Sequence, residues 1–195
     1  MDTAELWQLI DDARAQVPHG GDVEAVAARA STLLAERPAD EIRAAQQVLW
    51  DLMARAYTAP LWAAAYTVNG GCSDDGFDYF RGWLIAQGRE AYEAAVADPD
   101  SLAGLAAVRE AAVTWEELEC ETLLAIAWDA HLDATGEELP GDCFTIDYPD
   151  LDPGWGFDFD DAEEVARRLP RISALHAEQG ARTDGHGRPV TVRGC

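Results

Sequence analysis

The residues best suited to chemistry lie in one stretch, NGGCSDDGFDYFRGWLIAQGRE, at positions 69–90. A cysteine, a serine and two aspartates follow a pair of glycines directly, at the expected start of a helix. A thiol placed just before a helix N-terminus can have a lowered pKa and act as a nucleophile. The candidate catalytic residues of this stretch are therefore Cys72, Asp74 and Asp75.

A cysteine nucleophile usually needs a neighbouring base, which a histidine can supply. His131 is the fourth catalytic candidate, and His19 and His176 are alternative partners between which spacing does not choose. The structural alternative for Cys72 is a small buried thiol that packs behind the glycines and takes no part in catalysis. For His131 the alternative is a histidine whose ring is satisfied within the fold.

The same stretch also predicts a ligand-binding strip on one helix. At about 100° per residue, Asp74 and Asp78 lie beside Arg81, next to an apolar stripe. The guanidinium can hold a carboxylate or phosphate, and the carboxylates can hold a cation, if this face borders an accessible hollow. The structural alternative is local pairing of Asp78 with Arg81 while Ser73 caps the helix. The candidate ligand-binding residues are Ser73, Asp74, Asp75, Asp78, Arg81 and Trp83.

The sequence lacks metal-binding motifs. Cys120 and His131 do not make a zinc signature, because no fourth ligand has a suitable spacing. The segment DYPDLDPGWGFDFDDAEE at 147–164 lacks the order of aspartates, glycine and glutamate that a calcium loop requires. We therefore expect no metal and no cofactor. Trp155 and Phe157 within that acidic segment can either anchor a partner or tuck onto the helices, and tucking is the expectation.

Capping signals predict the elements that position these residues. DTAE at 2–5 is an aspartate-led capping box, and NGG ends a helix before a new one begins at Ser73 or Asp74 and runs to about Gln87. TWEE at 114–117 predicts a long helix that reaches about Thr135. Pro170 should divide the last helical pattern, because its ring and missing N–H disrupt a helix interior.

The fold class follows from these recurrent helix signals. A chain of 195 residues fits one domain. We predict an all-α orthogonal helical bundle with a long acidic loop and at most a short strand pair, for which CFTIDY at 143–148 is the candidate. Residues 1–178 should form the single helical domain, and 179–195 a glycine-rich C-terminal tail without apolar periodicity.

Charge and cysteine usage restrict the partners and the compartment. The formal net charge is -23, and no lysine or arginine occurs between Arg109 and Arg167. This excess of acid argues against nucleic acid and anionic membranes, which need a basic patch. No run of about 18 apolar residues is present to span a membrane. Four scattered cysteines and an acidic N-terminus favour reduced thiols in the cytoplasm.

Three segments resemble a known bacterial family. LWQLIDDAR at 6–14, the run from Leu61 to Leu102 and TGEELP at 135–140 are similar to DUF4240, a domain of unknown function frequent in actinomycetes. The likeness covers most of residues 1 to about 172, and 70–90 is its most specific part. It implies a bacterial cytosolic protein with a single domain. It implies no reaction, and it assigns no role to Asp74, Asp75 or Arg81.

Two functional hypotheses follow, and the sequence leaves open whether the chain is an enzyme. The first is a non-catalytic binding or regulatory module for a cationic or mixed-charge small molecule, peptide or protein. The alternative is a small-molecule hydrolase or transferase in which the Cys72–Asp75 segment reacts and Arg81 orients the substrate. A weaker third option is a nucleic-acid mimic. The ligand, the oligomeric state and the role of Cys195 are not determined by the sequence.

Overall fold

The computed structural model of the chain describes residues 1–18 and 22–175, and within those ranges it contains helices and no strand. The α-helices are α1 (Thr3–Gln16), α2 (Val23–Ala35), α3 (Ala39–Arg55), α4 (Ala59–Asn69), α5 (Asp74–Ala86), α6 (Arg89–Ala97), α7 (Ala106–Thr114), α8 (Ile126–Thr135) and α9 (Ala162–Arg168). Short 3-10 turns occupy Pro99–Gly104, Thr122–Ala125 and Pro153–Trp155. The predicted all-α class is confirmed. The strand candidate at 143–148 is wrong, since this segment is irregular. The predicted tail at 179–195 lies outside the described residues.

Helix ends near the candidate site follow the predicted capping chemistry. The Asp2 carboxylate accepts from the Glu5 amide at 2.9 Å, and the Glu5 side chain accepts from the Asp2 amide at 2.7 Å. Gly70 ends α4 in the left-handed region with φ 69°, and the Ser73 hydroxyl accepts from the Gly76 amide at 3.1 Å. These side chains satisfy amides that the first helical turn leaves unpaired. The predicted start of the α5 helix is therefore confirmed.

The long helix predicted from TWEE ends at Thr135, as α8 does, but its predicted start at 114–117 is wrong. Helix α7 ends at Thr114, and Trp115 turns the chain with a φ of 62°. The chain then crosses α5, where the Cys120 amide donates to the carbonyl of Tyr79 at 3.0 Å. A Cβ added to Gly82 would lie 2.4 Å from the carbonyl oxygen of Cys120, so only glycine permits this close crossing. A tertiary contact thus overrides the capping box.

One cluster of buried apolar side chains runs through the described bundle. Its members extend from Leu6 on α1 to Ile172, after α9. Helix α2 contacts α1, α3, α5 and α8. Helices α4 and α5, which flank the glycine pair, contribute their apolar faces to the same cluster. Because the apolar faces of both helices are buried, the positions of α4, α5 and the loop residues between them are fixed.

Residues 137–161, here called the acidic segment, dock onto α3, α4 and α5 through side chains. The Thr145 amide donates to Gln47 Oε1 at 2.8 Å, and Gln47 Nε2 donates back to the Thr145 carbonyl at 3.2 Å. The ring of Phe144 stacks on Trp50 with centroids 6.2 Å apart. Trp155 packs against the core cluster, as the tucking prediction expected. Side-chain contacts of this kind anchor the segment to the helices in place of strand pairing.

Pro170 divides the last helical pattern, as predicted. Helix α9 ends before it, and helical structure resumes at residue 170 and continues to 175, the last described position. The buried carboxylate of Asp100 accepts from the amides of Arg171 at 3.0 Å and Ile172 at 2.9 Å. It also accepts from Arg171 Nε at 3.0 Å. A carboxylate remote in sequence thereby caps the new helix.

Candidate functional site

Arg81 is the most unusual side chain of α5, because its charged group is completely buried. Nη1 donates to the carbonyl of Met53 at 2.6 Å, and Nε donates to that of Phe77 at 3.2 Å. Nη2 donates to the carboxylate of Asp78 and, at 3.3 Å, to the hydroxyl of Tyr148. Every guanidinium nitrogen therefore has a partner inside the protein, which is what a buried cation requires.

Three aromatic rings surround the same guanidinium. Its central carbon lies 4.6 Å from the ring centre of Phe77, 4.9 Å from that of Tyr148 and 5.0 Å from that of Tyr57. Tyr57 and Tyr148 also stack on each other with centroids 4.4 Å apart. We take the cation–π interaction of the guanidinium with these rings together to stabilise by roughly 0.5–2 kcal/mol. Arg81 thus joins α5 to the end of α3 and to the acidic segment.

Asp78 is the carboxylate partner of Arg81 and keeps 30% of its side chain exposed. Burial raises the pKa of Asp78, and the charge of Arg81 and the hydroxyl of Tyr148 oppose that rise. A carboxylate whose folded pKa is raised favours folding below its unfolded pKa and loses that contribution as the pH rises. The charge of Arg81 therefore does not fully offset the burial of the Asp78 carboxylate, and the other contacts of Arg81 help to hold the guanidinium in place.

The predicted strip is therefore divided between surface and interior. The exposed members are Ser73, Asp74 and Asp75, and the half-buried or buried members are Asp78, Arg81 and Trp83. In the described part of the chain no accessible hollow borders Arg81, because its side chain is completely buried. This geometry matches the structural alternative, with pairing along α5 and a serine cap. A ligand-binding role for these six residues stays a prediction.

A polar hollow of about 240 Å³ does lie at the N-terminus of α5. Its lining is formed by Asn69, Gly70, Gly71, Cys72, Ser73, Gly76, Glu117 and Glu119. Burial and the neighbouring charge of Glu117 raise the pKa of Glu119. The two glutamates make this hollow negative, and it is therefore unsuited to a phosphate or carboxylate ligand.

Cys72 faces this hollow as a protonated thiol. Burial raises its pKa to about 12, and the charge of Glu119 adds to the rise. A helix N-terminus can lower the pKa of a thiol, but here burial and the neighbouring carboxylates outweigh the dipole, in agreement with the alternative of a packed thiol. A thiol with this pKa is almost entirely un-ionised at neutral pH and is a poor nucleophile without a base.

His131 does not supply that base. It is buried in α8, where Nδ1 lies 3.0 Å from the carbonyl of Glu137, and it is not among the residues that line the hollow. The Thr135 hydroxyl lies 3.3 Å from the same nitrogen. Nδ1 thus holds the C-terminus of α8, whereas the buried Nε2 has no hydrogen-bond partner among the described residues, so the alternative of a satisfied ring holds for one nitrogen only. His19 and His176, the other possible bases, lie outside the described residues.

A second cavity, here called the aromatic pocket, was not predicted. It has a volume of about 310 Å³ and lies between α4 and the acidic segment. Its lining is formed by Ala59, Trp62, Leu151, Asp152, Pro153, Trp155, Gly156, Phe157 and Phe159. The sequence signal is the alternation of aromatic and acidic residues in WGFDF. That pattern alone does not predict a pocket, because the pocket also needs Trp62, which lies almost a hundred positions earlier in the sequence.

Comparison with family models decides the family. The model of DUF4240, described as a protein of unknown function, matches residues 1–132. The chain belongs to the DUF4240 family. No similar protein was found among curated proteins. No similar chain was found among solved structures.

The DUF4240 match is shorter than the resemblance suggested. It ends at residue 132, inside α8, whereas the likeness was expected to reach about 172. The helices onto which the acidic segment docks lie within the match, and so do Trp62 on α4 and Arg81 on α5. The acidic segment lies beyond it, and so do the aromatic residues that it contributes to the pocket. The described residues contain no helix with the length and apolar character needed to cross a membrane.

The carboxylates between Arg109 and Arg167, here called the acidic face, lie mostly at the surface of this DUF4240 protein. Within the described residues, Glu164 is the one member that forms an ion pair, with Arg167 and Arg168. Most of the others are exposed: Glu110, Glu116, Glu117, Glu121, Asp129, Asp133, Glu137, Glu138, Asp142, Asp147, Asp150, Asp152, Asp158, Asp160, Asp161 and Glu163. This part of the chain therefore carries a large negative charge that described cations leave unneutralised.

Proposed function

We propose that this protein is a non-catalytic binding or regulatory module whose acidic face binds a cationic or mixed-charge partner. The supporting observation is the run of exposed carboxylates without ion pairs in residues 110–163 of the described chain. Like charges at this density repel one another and raise the local concentration of cations. A cationic partner relieves the repulsion, and a complementary potential also speeds the encounter.

The state of the candidate catalytic groups supports binding rather than catalysis. The pKa of the Cys72 thiol is raised to about 12, and the described histidine of the candidate set is engaged at the end of α8. Asp74 and Asp75 are exposed on the first turn of α5, where a negative charge stabilises the helix. Among the described residues, no histidine lines the hollow beside the thiol to activate it, as a nucleophile of this pKa would require.

The experiment is a titration of the full chain with a fluorescent octalysine peptide, followed by anisotropy at low salt and at about 0.5 M salt, where charges are screened within a few Å. We expect binding that weakens by at least about tenfold as the salt rises. Association that is insensitive to salt would contradict the proposal.

A pair of charge-matched variants locates the interaction. The acidic-face variant carries Asp142→Asn, Asp147→Asn and Asp150→Asn, and the control variant carries Glu24→Gln, Glu36→Gln and Asp40→Asn. All six residues are exposed, so each variant removes the same charge from the surface. We expect the first variant to bind octalysine more weakly than the second. Equal weakening in both would indicate a response to net charge alone and would remove the acidic face as the site.

A further inference from the structure

We propose that the aromatic pocket binds a small organic cation through a quaternary or fully methylated ammonium group. This inference rests on the proposed function, since it names the class of cation that one part of the acidic face would select. It assigns a ligand site to the junction of α4 with the acidic segment, and α5 takes no part in it.

The lining of the pocket has the composition that favours such a group. Trp62, Trp155, Phe157 and Phe159 contribute aromatic rings, and Asp152 contributes the one carboxylate. The rings of Phe157 and Phe159 meet edge to face with centroids 5.3 Å apart. Aromatic faces attract a cation through their quadrupoles, and tryptophan does so best. The volume of about 310 Å³ matches the lower end of small-molecule sites, ~300 Å³.

The structure already places one cation against these rings. The guanidinium carbon of Arg168 lies 4.8 Å from the ring centre of Trp155 and 4.8 Å from that of Phe157. Arg168 is held by Glu164 at 3.0 Å and by the carbonyl of Gly154 at 2.8 Å, and it is not part of the pocket lining. The two rings therefore already attract one cation, and the carboxylate of Glu164 offsets its charge.

The shortage of hydrogen-bond acceptors selects among possible cations. A primary ammonium carries three donors, each of which needs an acceptor when it leaves water. Asp152 is the one charged acceptor of the lining, and its Oδ1 already accepts from the Gly154 amide at 2.8 Å. A metal ion needs several oxygen, nitrogen or sulfur ligands, and the described residues contain no cluster that could hold one. A quaternary ammonium has no donors, so it needs only aromatic contact and a nearby negative charge.

The test uses choline and its neutral isostere 3,3-dimethylbutan-1-ol, which have the same shape and differ in charge. Each is titrated into the full chain, and binding is followed by calorimetry and by tryptophan fluorescence. We expect saturable binding of choline and at least about tenfold weaker binding of the neutral alcohol, the difference that cation–π contacts supply. Equal binding of the two compounds would overturn the ligand class.

Two variants test the position of the site. Trp155→Leu should weaken choline binding by about tenfold, the effect of losing one strong cation–π contact. Asp152→Asn keeps the oxygen that accepts from Gly154, so the turn persists, and it should weaken choline by about threefold without affecting the neutral alcohol. The matched control is Asp40→Asn, an exposed carboxylate on α3 that lies outside the acidic face and does not line the pocket. An equal effect of the two asparagine variants would overturn the assignment.

The octalysine titration separates this inference from the proposed function. Salt-dependent binding of octalysine without binding of choline would overturn the aromatic pocket as an ammonium site and would leave the acidic face supported. Failure of both probes would overturn both proposals. Binding of choline that Trp155→Leu leaves unchanged, in a variant whose melting temperature matches the parent chain, would also overturn the pocket.

Discussion

Replacement of Arg81 by methionine tests whether this residue is a structural cation or a ligand-binding group. Methionine has a similar length and flexibility, so it fills most of the space and limits the cavity that is left. The change removes the hydrogen bonds to the carbonyls of Met53 and Phe77 and the ion pair with Asp78. It also removes the cation from the rings around it. A structural cation must therefore cost stability when it is removed.

The magnitude follows from those contacts. Loss of the charged donor to Met53 costs about 1.5–3 kcal/mol, because the buried carbonyl loses its partner. Loss of the ring contacts adds roughly 0.5–2 kcal/mol. Asp78 adds less than a fully buried carboxylate would, since 30% of its side chain reaches solvent. We expect Arg81→Met to lower the free energy of unfolding by about 4 kcal/mol. Arg81→Lys keeps the positive charge but loses the planar set of guanidinium donors, and it should lower the free energy of unfolding by about half as much.

Urea denaturation followed by far-UV circular dichroism and tryptophan fluorescence measures these changes. The matched control is Arg89→Met, which removes an arginine that is exposed on α6 and pairs with Glu93 at 2.9 Å. An exposed pair of this kind contributes about 0.3–0.5 kcal/mol. If Arg81→Met costs no more than Arg89→Met, the buried guanidinium does not stabilise the bundle and the reasoning is refuted. A ligand-binding arginine would give that result.

Three further predictions concern other contacts. Gly82→Ala should lower the free energy of unfolding by about 3 kcal/mol, because the new methyl group would collide with the Cys120 carbonyl. In an exposed helix the same change raises that free energy by about 1 kcal/mol, and such a gain would contradict the close crossing. Asp100→Ala should cost about 2 kcal/mol in urea unfolding, since buried amides lose their acceptor, and an unchanged midpoint would contradict that cap. Because only the thiolate reacts and burial raises the pKa of Cys72 to about 12, its alkylation rate should still be rising with pH above 9. A rate in mass-spectrometric alkylation that levels off near pH 9 would show an unperturbed thiol.

Local chemistry made the helix starts predictable. The capping box at Asp2, the left-handed glycine at the end of α4 and the Ser73 cap depend on residues at most a few positions apart. Interactions of this range are visible in the sequence because helix geometry converts spacing into contact. The TWEE motif was misleading for the complementary reason. Its capping box is a local preference, and the crossing of α5 at Gly82 is a tertiary contact that outweighs it.

The candidate site shows the same division. Helical periodicity placed Asp78 and Arg81 on one ridge, and their pairing is what the structure shows. Periodicity carries no information on the depth of a side chain, so it did not show that Tyr148, 67 positions later, covers the guanidinium. The aromatic pocket was missed because Trp62 and Trp155 meet only after the acidic segment has docked.

The sequence by itself determined the all-α class, most helix ends near the glycine pair, the acidic balance and the DUF4240 family, since each depends on composition or on neighbours along the chain. Tertiary structure alone decided that Arg81 is buried, that Cys72 is a protonated thiol and that an aromatic pocket exists. Burial, desolvation and cavity shape arise from groups that are distant in sequence, and their energies depend on how those groups pack. The same carboxylates and rings therefore acquire their chemistry only where the fold brings them together.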